Sequence, residues 1–223
     1  AEDFVFSWRR LVDPATASEY AYMLAPVVNA EDITAGKKKP EELAVKAVDP
    51  ETFEVTLNAP TPYFLEMLTH QTTFPVSKAN VEKFGADFVK PGNLVSNGAY
   101  TLAEFVPNDH VKAVKNPKFY DAANVMIDVV NYIPTEDRSA AMKRFEAGEL
   151  DTNDDIPTEQ LADLRAKFGD QIHLGPYLGS YYYSFKIDKA PWDNVKLRHA
   201  ISMAVDRDYL AEKVWQNTMI PAY

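Results

Sequence analysis

The stretch that most constrains the fold is residues 177–210, YLGSYYYSFKIDKAPWDNVKLRHAISMAVDRDYL. Three consecutive tyrosines lie in a run of strand formers, residues 180–187. Side chains alternate across a strand, so Tyr181 and Tyr183 are expected on one face and Tyr182 on the other. On spacing alone the ordinary expectation is that all three pack in a core with their hydroxyls bonded. An exposed face would instead offer flat apolar surface beside phenol tips, which suits polar, chain-like ligands. Pro191 and Trp192 end the extended run, and Asp193 or Asn194 is placed to cap a helix. Val195, Ala200, Ile201, Ala204 and Val205 then recur at helical spacing, and Asp206 restarts a helix toward Tyr209, Leu210 and Val214.

Upstream, Phe4, Trp8, Leu11 and Val12 form a helical stripe that stops before Asp13-Pro14, because proline disfavours helical geometry in the residue ahead of it. Asn29 is placed to cap a short helix. A hairpin is expected over residues 43–58 about Asp49-Pro50, with Phe53, Val55 and Leu57 alternating with polar residues. Residues 74–76 read as a connecting strand, and Gly85 as a helix stop. A second hairpin turns at Pro107-Asn108-Asp109. Residues 126–133 form a β-branched strand, and Thr135 is a good cap for the helix that follows. Residues 150–155 and 171–174 read as further strands around a helix closed by Gly169. This β-α-β-α-β order argues for an α/β layer. The first part, with its small helices and hairpin, reads as a separate subdomain.

Several function classes find no support. The net charge of −10 argues against a nucleic-acid backbone or anionic membrane as main partner. Lys37, Lys38 and Lys39 form the one compact basic run and read as a solvated loop. With no cysteine there is no disulfide, thiolate nucleophile or Cys-ligated metal. His70, His110, His173 and His199 are dispersed, without the i, i+4 pairing of a helical zinc site. No nucleophile elbow or glycine-rich phosphate loop occurs. A carboxylate-based glycosidase would need two acids at a defined separation. The cluster Asp151, Asn153, Asp154, Asp155 reads ordinarily as a strand-end turn with a helix cap; the spacing of a calcium loop is absent. No metal, cofactor or catalytic constellation is expected.

The residues also carry a resemblance. The YYYxF strand with KAPWDNVKLRHAISMAVDRDYL, and earlier FSWRRLVDPATASEYA, AGKKKPEELAVKAVDPETFEVTLNAPTPYFLEML, FPVSKANVEKFG, NGAYTL, KNPKFYD and AGELD, together resemble the extracytoplasmic peptide-binding proteins of ABC importers. The oligopeptide-binding branch is the most similar. No single motif decides, but their order and spacing cover essentially the whole chain. The resemblance implies a type II periplasmic-binding-protein-like α/β fold with an extra small α+β subdomain, incomplete at both ends. Residues 1–77 would be that small subdomain, 78–178 part of the first lobe, and 179–223 the crossover and start of the second lobe, with Gly179 near a hinge. The opening Ala1-Glu2-Asp3-Phe4 reads as the inside of a helix, so the chain is expected to be an internal piece of a longer protein.

By the same resemblance the function is a non-enzymatic receptor. It would capture oligopeptides by their main chain and deliver them to the membrane subunits of an importer, as a monomer when full length. Its place would be the periplasm, or the outer face of a Gram-positive membrane. The same fold with another solute (dipeptide, murein peptide, nickel complex, opine) is the near alternative. A carboxylate hydrolase and an interaction module without a small ligand are the distant ones. Carried over residue by residue, the peptide-binding positions are Tyr20, Asn153, Asp154, Asp155, Tyr177, Gly179, Tyr182 and Ser184. Groups that hold the peptide termini would lie largely outside this chain. Two departures stand out. The family often has an aromatic at Asn153 and amides at Asp154 and Asp155, and its YYYxFN continues here as Phe185-Lys186. The two acids imply a preference for Lys or Arg side chains in the nearest pocket.

Overall fold

The structure, a computed structural model, describes residues 1–177 and 179–223. Two compact units emerge, Ala1–Pro134 and Thr135–Tyr223. The expected divisions after residues 77 and 178 do not coincide with this one, and the second falls on Leu178, outside the described residues. Hydrogen bonds tie the chain across residue 77. Ser7 Oγ accepts from Val76 N at 2.8 Å, and Asp3 Oδ1 accepts from Lys78 N at 2.8 Å.

The first unit is built on α1 (Glu2–Val12), whose buried stripe is Val5, Trp8, Leu11 and Val12. Around it pack a 3-10 turn (Ala21–Leu24), α2 (Ala30–Thr34), the hairpin β1 (Val45–Ala47) and β2 (Phe53–Val55), and α3 (Phe64–Met67). Trp8 is the centre. It is 2% exposed and meets the Phe53 ring edge-on at 5.0 Å and Phe64 at 6.2 Å. Its Nε1 donates to Thr73 O at 2.9 Å, so the one polar atom of the indole is not left unpaired on burial. Leu24, Val27 and Ile33 are fully buried beside it.

The β1–β2 turn is held by Asp49, whose Oδ1 accepts from the N–H groups of Glu51 and Thr52. Bonds from the Thr52 side chain, then from those two N–H groups, lower the Asp49 pKa. Asn29 does occupy the position before α2, but its side chain does not cap the helix. It donates to Glu42 O at 2.6 Å and accepts from Lys38 Nζ at 2.6 Å, tying the lysine loop down.

Following α4 (Lys78–Phe84), an antiparallel sheet forms in the order β3 (Tyr100–Val106), β4 (His110–Lys115), β5 (Val129–Tyr132), with a bulge between Leu102 and Glu104. Buried Asn116 secures its base, donating to Ser96 O and Gly98 O and accepting from Lys118 N. At the β3–β4 tip Asn108 takes φ 62°, a left-handed turn geometry that asparagine tolerates. Beside it His110 lies between two carboxylates: Nδ1 is 2.6 Å from Asp109 Oδ2 and Nε2 3.2 Å from Glu104 Oε2. Lys112 Nζ also donates to Glu104, at 2.8 Å.

The second unit contains α5 (Arg138–Glu146), α6 (Leu161–Phe168), α7 (Val195–Ala204) and α8 (Arg207–Tyr209). Its core is small: Ala141 and Met142 of α5, Leu161 and Leu164 of α6, and Ala211 are buried, and Phe145 meets Phe168 at 5.5 Å. Asp137, not Thr135, caps α5, accepting from Ala140 N at 2.6 Å. Asn194 caps α7 by accepting from two N–H groups, and Asp206 caps α8.

The strands expected over residues 74–76, 150–155, 171–174 and 180–187 are not formed. A strand exists only as part of a ladder, and among the described residues no partner lies beside these segments. Both sheets present are antiparallel.

Two outcomes follow from this packing. Replacing Trp8 with Phe should lower stability by about 1–3 kcal/mol, because the Thr73 carbonyl loses its buried donor; Trp8→Ala should cost about 3–5 kcal/mol. Urea unfolding followed by circular dichroism reads both. Separately, the bond to Asp109, then that to Glu104, raises the His110 pKa above its ordinary 6.5. The stabilisation that this gives the hairpin is complete below the ordinary histidine pKa and disappears as pH climbs through the raised one. An NMR titration should place His110 above 6.5, and Glu104→Gln should bring it down.

Candidate functional site

The eight expected binding positions fall in both units, Tyr20 in the first and the other seven in the second. Each group is described within its own unit.

Tyr20 stands at the start of the 3-10 turn Ala21–Leu24, in which Ala21 is buried and Leu24 joins the Trp8 core. That burial turns the Tyr20 ring outward, 46% exposed. Two rings flank it. His70 lies at 5.2 Å between centroids with planes inclined by 34°, and Tyr22 at 5.9 Å with 32°. Neither neighbour was expected from the sequence. His70 is 50 residues away along the chain.

Asn153, Asp154 and Asp155 follow α5 as an irregular segment, not as a strand end. Asn153 Nδ2 donates to Asp155 O at 3.3 Å and lies 3.9 Å from Met142 Sδ, which anchors the segment on α5. Asp155 Oδ2 accepts from Arg138 Nε at 2.8 Å. Asp154 is exposed, and among the described residues it has no ion pair. The two acids are therefore unequal: Asp155 has its own cation, and Asp154 carries the free charge. Arg138 is a further residue that reading the sequence missed, since its partner lies 17 positions on.

Tyr177 is 92% exposed, and its ring folds over Gly179. A Cβ at Gly179 would stand 2.4 Å from Tyr177 Cε1. The Gly179 N–H donates to Tyr177 O at 3.0 Å. The missing side chain of Gly179 leaves room for the Tyr177 ring in this position, without any left-handed backbone.

The tyrosine run is extended and open, and the expectation of a packed core is overturned. Tyr181, Tyr182 and Tyr183 are 67%, 76% and 82% exposed, and Ser184 is exposed. The physical reason is that no layer of the described chain covers either side of this segment. Alternation does hold. Tyr181 and Tyr183 share a side, meeting edge-on at 5.8 Å, and the Trp215 ring lies 6.1 Å from Tyr181. The Tyr181 phenol pKa is raised by its hydrogen bond with Tyr183. Phe185 turns to Trp192 at 5.4 Å, closing the run. Among the described residues, no backbone bond ties residues 180–185 to another segment.

No cluster of His, Asp or Glu among the described residues could hold a metal ion. No helix of the described residues is long and apolar enough to cross a membrane.

The family model for bacterial extracellular solute-binding proteins, family 5 (middle region), matches residues 1–223. The chain belongs to this family. Relatives agree along its whole length. The periplasmic oligopeptide-binding protein OppA of Salmonella typhimurium is 42% identical over 226 residues, covering 100% of this chain and 42% of that protein. The periplasmic murein peptide-binding protein MppA of Escherichia coli is 40% identical over 225 residues, again 100% of this chain and 42% of the relative. Among solved structures, Haemophilus influenzae OppA in complex with RPPGFSPFR superposes with a TM-score of 0.91 at 41% identity, over 96% of this chain and 42% of that one. The chain therefore has the α/β periplasmic-binding-protein fold of these family 5 members and spans less than half of their length.

The contact between Tyr177 and Gly179 can be checked directly. Ring current from Tyr177 should shift the Gly179 Hα signals upfield, and Tyr177→Ala should abolish the shift. Gly179→Ala should displace the ring with little change in melting temperature, because the atom that must move is the far end of an exposed side chain. An unshifted Gly179 signal in the parent protein would show that the ring lies elsewhere.

Proposed function

We propose that this chain is the middle portion of a solute-binding receptor that captures oligopeptides by their main chain and delivers them to an ABC importer. The observation that carries the reading is the family match over every residue, together with 42% identity to an oligopeptide-binding relative. In this reading residues 1–77 are the small extra subdomain, 78–178 part of the first lobe, and 179–223 the crossover into the second. Tyr20, Asn153, Asp154, Asp155, Tyr177, Gly179, Tyr182 and Ser184 contact the peptide. The receptor works outside the cytoplasm as a monomer, closes two lobes on its ligand and hands it to membrane subunits. It performs no chemistry on its cargo.

The physical logic supports this assignment. A receptor for many peptides must pair with what they share, the backbone. The open segment 180–185 has N–H and C=O groups of its own to offer. Exposed phenols beside it give apolar contact and a hydroxyl without fixing one side chain, and water can bridge the remaining gaps at small cost. Lobe closure then makes the loaded form distinct from the empty one. A second solute class is favoured by one finding: the murein peptide-binding relative is 40% identical, close to the oligopeptide binder. Both ligands are peptides, so the shared chemistry stands and the side-chain preference differs.

The unequal acids refine that preference. Asp154 alone is positioned to attract a cationic side chain, and solvent limits the gain at such an exposed carboxylate. Calorimetry on the full-length protein, with peptides that differ only in Lys or Glu at one position, should show the Lys peptide binding about three- to fivefold tighter. Asp154→Asn should remove the difference and Asp155→Asn should leave most of it. Equal affinities in the parent protein would refute the role of Asp154. A peptide panel that leaves the melting temperature unmoved would refute the receptor reading itself.

A further inference from the structure

Asn97-Gly98 is the one Asn-Gly pair of the chain. Asn97 is exposed and lies in a stretch without regular structure, just before β3. The backbone around it is nevertheless held at successive groups. Gly98 N donates to Ser96 Oγ at 3.0 Å. Asn116 Nδ2 donates to Ser96 O at 3.2 Å and to Gly98 O at 2.8 Å, and Asn116 N donates to Ala99 O at 2.8 Å. Asn116 is 4% exposed, so the clamp is set on a buried side chain.

An asparagine followed by glycine carries a reaction of its own. The glycine nitrogen attacks Cγ of the asparagine. A bond forms from that nitrogen to Cγ, the Cγ–Nδ2 bond breaks, and ammonia leaves with the proton of the glycine N–H. Water then opens the five-membered imide at either carbonyl, giving aspartate or isoaspartate. Glycine favours the attack because no Cβ obstructs its nitrogen. Two conditions come first. The N–H must be free to give up its proton, and the peptide group must be free to turn until the nitrogen faces Cγ. The clamp opposes both: Ser96 Oγ engages the Gly98 N–H, and Asn116 holds the carbonyls on either side of it along the chain. Reaction then requires local opening. We propose that Asn97 is a latent deamidation site that the Ser96–Asn116 clamp keeps silent, so that its modification records opening at the base of the β3–β4 hairpin. Isoaspartate adds one carbon to the main chain between the two carbonyls that Asn116 spans, which works against re-forming the clamp.

The test uses the full-length protein, incubated in mildly alkaline buffer and sampled over days. Mass spectrometry follows the proteolytic peptide that carries residue 97 for the mass gain of an amide turned acid. An isoaspartyl methyltransferase assay counts the isoaspartate. In urea, where the clamp is gone, the parent chain should react at least about tenfold faster than when folded. In the folded protein Ser96→Ala should react about three- to tenfold faster than the parent, the effect of losing one hydrogen bond. Ser96→Thr, which keeps the hydroxyl, should stay at the parent rate. Hydrogen exchange of the Gly98 amide should rise in Ser96→Ala while that of the buried Trp8 indole N–H stays slow. This pair of signals separates opening of the clamp from loss of the fold. Equal rates in buffer and urea, no reaction at Asn97 in urea, or a Ser96→Ala rate equal to that of the parent overturns the proposal. So does Ser96→Thr reacting as fast as Ser96→Ala, or a rise in Trp8 exchange that matches the rise at Gly98.

Discussion

One hydrogen bond organises the first unit: the Trp8 indole N–H to the Thr73 carbonyl. A tryptophan buried to 2% exposure must find an acceptor for Nε1. The acceptor it finds is backbone from a segment 65 residues on. This contact does more than satisfy a donor. It fixes where residues 68–73 lie, because Thr73 spends its own hydroxyl on the carbonyls of Leu68 and His70. The chain continues from there to Val76 and Lys78, which bond Ser7 and Asp3 on the same helix. α1 therefore anchors its far-off neighbours through three separate polar contacts, at Asp3, at Ser7 about one turn on, and at the adjacent Trp8. Hydrophobic burial supplies the attraction here, but these bonds select the register.

The second unit is organised differently. Few of its residues are buried, and α7 buries none. What defines its helices is local: Asp137, Asn194 and Asp206 each accept from free N–H groups of a first turn, and Gly148 and Gly169 take positive φ just beyond the helices they end. Such signals set where a helix starts and stops but not what it packs against. A chain that spans 42% of its OppA relative can hold these helices by capping while leaving their apolar faces open.

This contrast explains what could be read from the sequence. The α1 stripe, both hairpins, the Asn108 turn and the glycine stops depend on neighbours a few residues apart, and the sequence displays them. The Asn194 and Asp206 caps were legible for the same reason. Thr135 was misread because a cap is chosen by geometry at one position: Asp137 stands two residues later and its carboxylate reaches Ala140 N. Of the four strands that failed to form, residues 180–187 have good strand composition, yet composition cannot provide a ladder partner, and the acid-rich 150–155 and Pro75 already weigh against two of the others. At the candidate site, Gly179 was singled out through family likeness as a hinge, and its contact with the Tyr177 ring had no sequence signal. The pairing of Arg138 with Asp155, and of His70 with Tyr20, joins residues 17 and 50 positions apart. Only tertiary structure brings such partners together.

The open tyrosine segment follows from the same rule about partners. Its backbone groups must bond to something, because an unpaired amide is costly wherever water is excluded. In an uncovered chain, water fills that role at no loss. In the proposed receptor, lobe closure would remove that water, and the segment would need either another strand or a guest with matching N–H and C=O groups. A bound peptide backbone meets that demand regardless of its sequence, which is why a promiscuous receptor gains from leaving a strand-forming run without a fixed ladder. The side chains beside it then decide preference. Tyr181 and Tyr183 meet edge to edge and Tyr181 also lies beside Trp215, whereas Tyr182 points to the other side. On the proposed function, ring contacts within the chain would occupy one side of this short segment and leave Tyr182, on the other, for a variable guest.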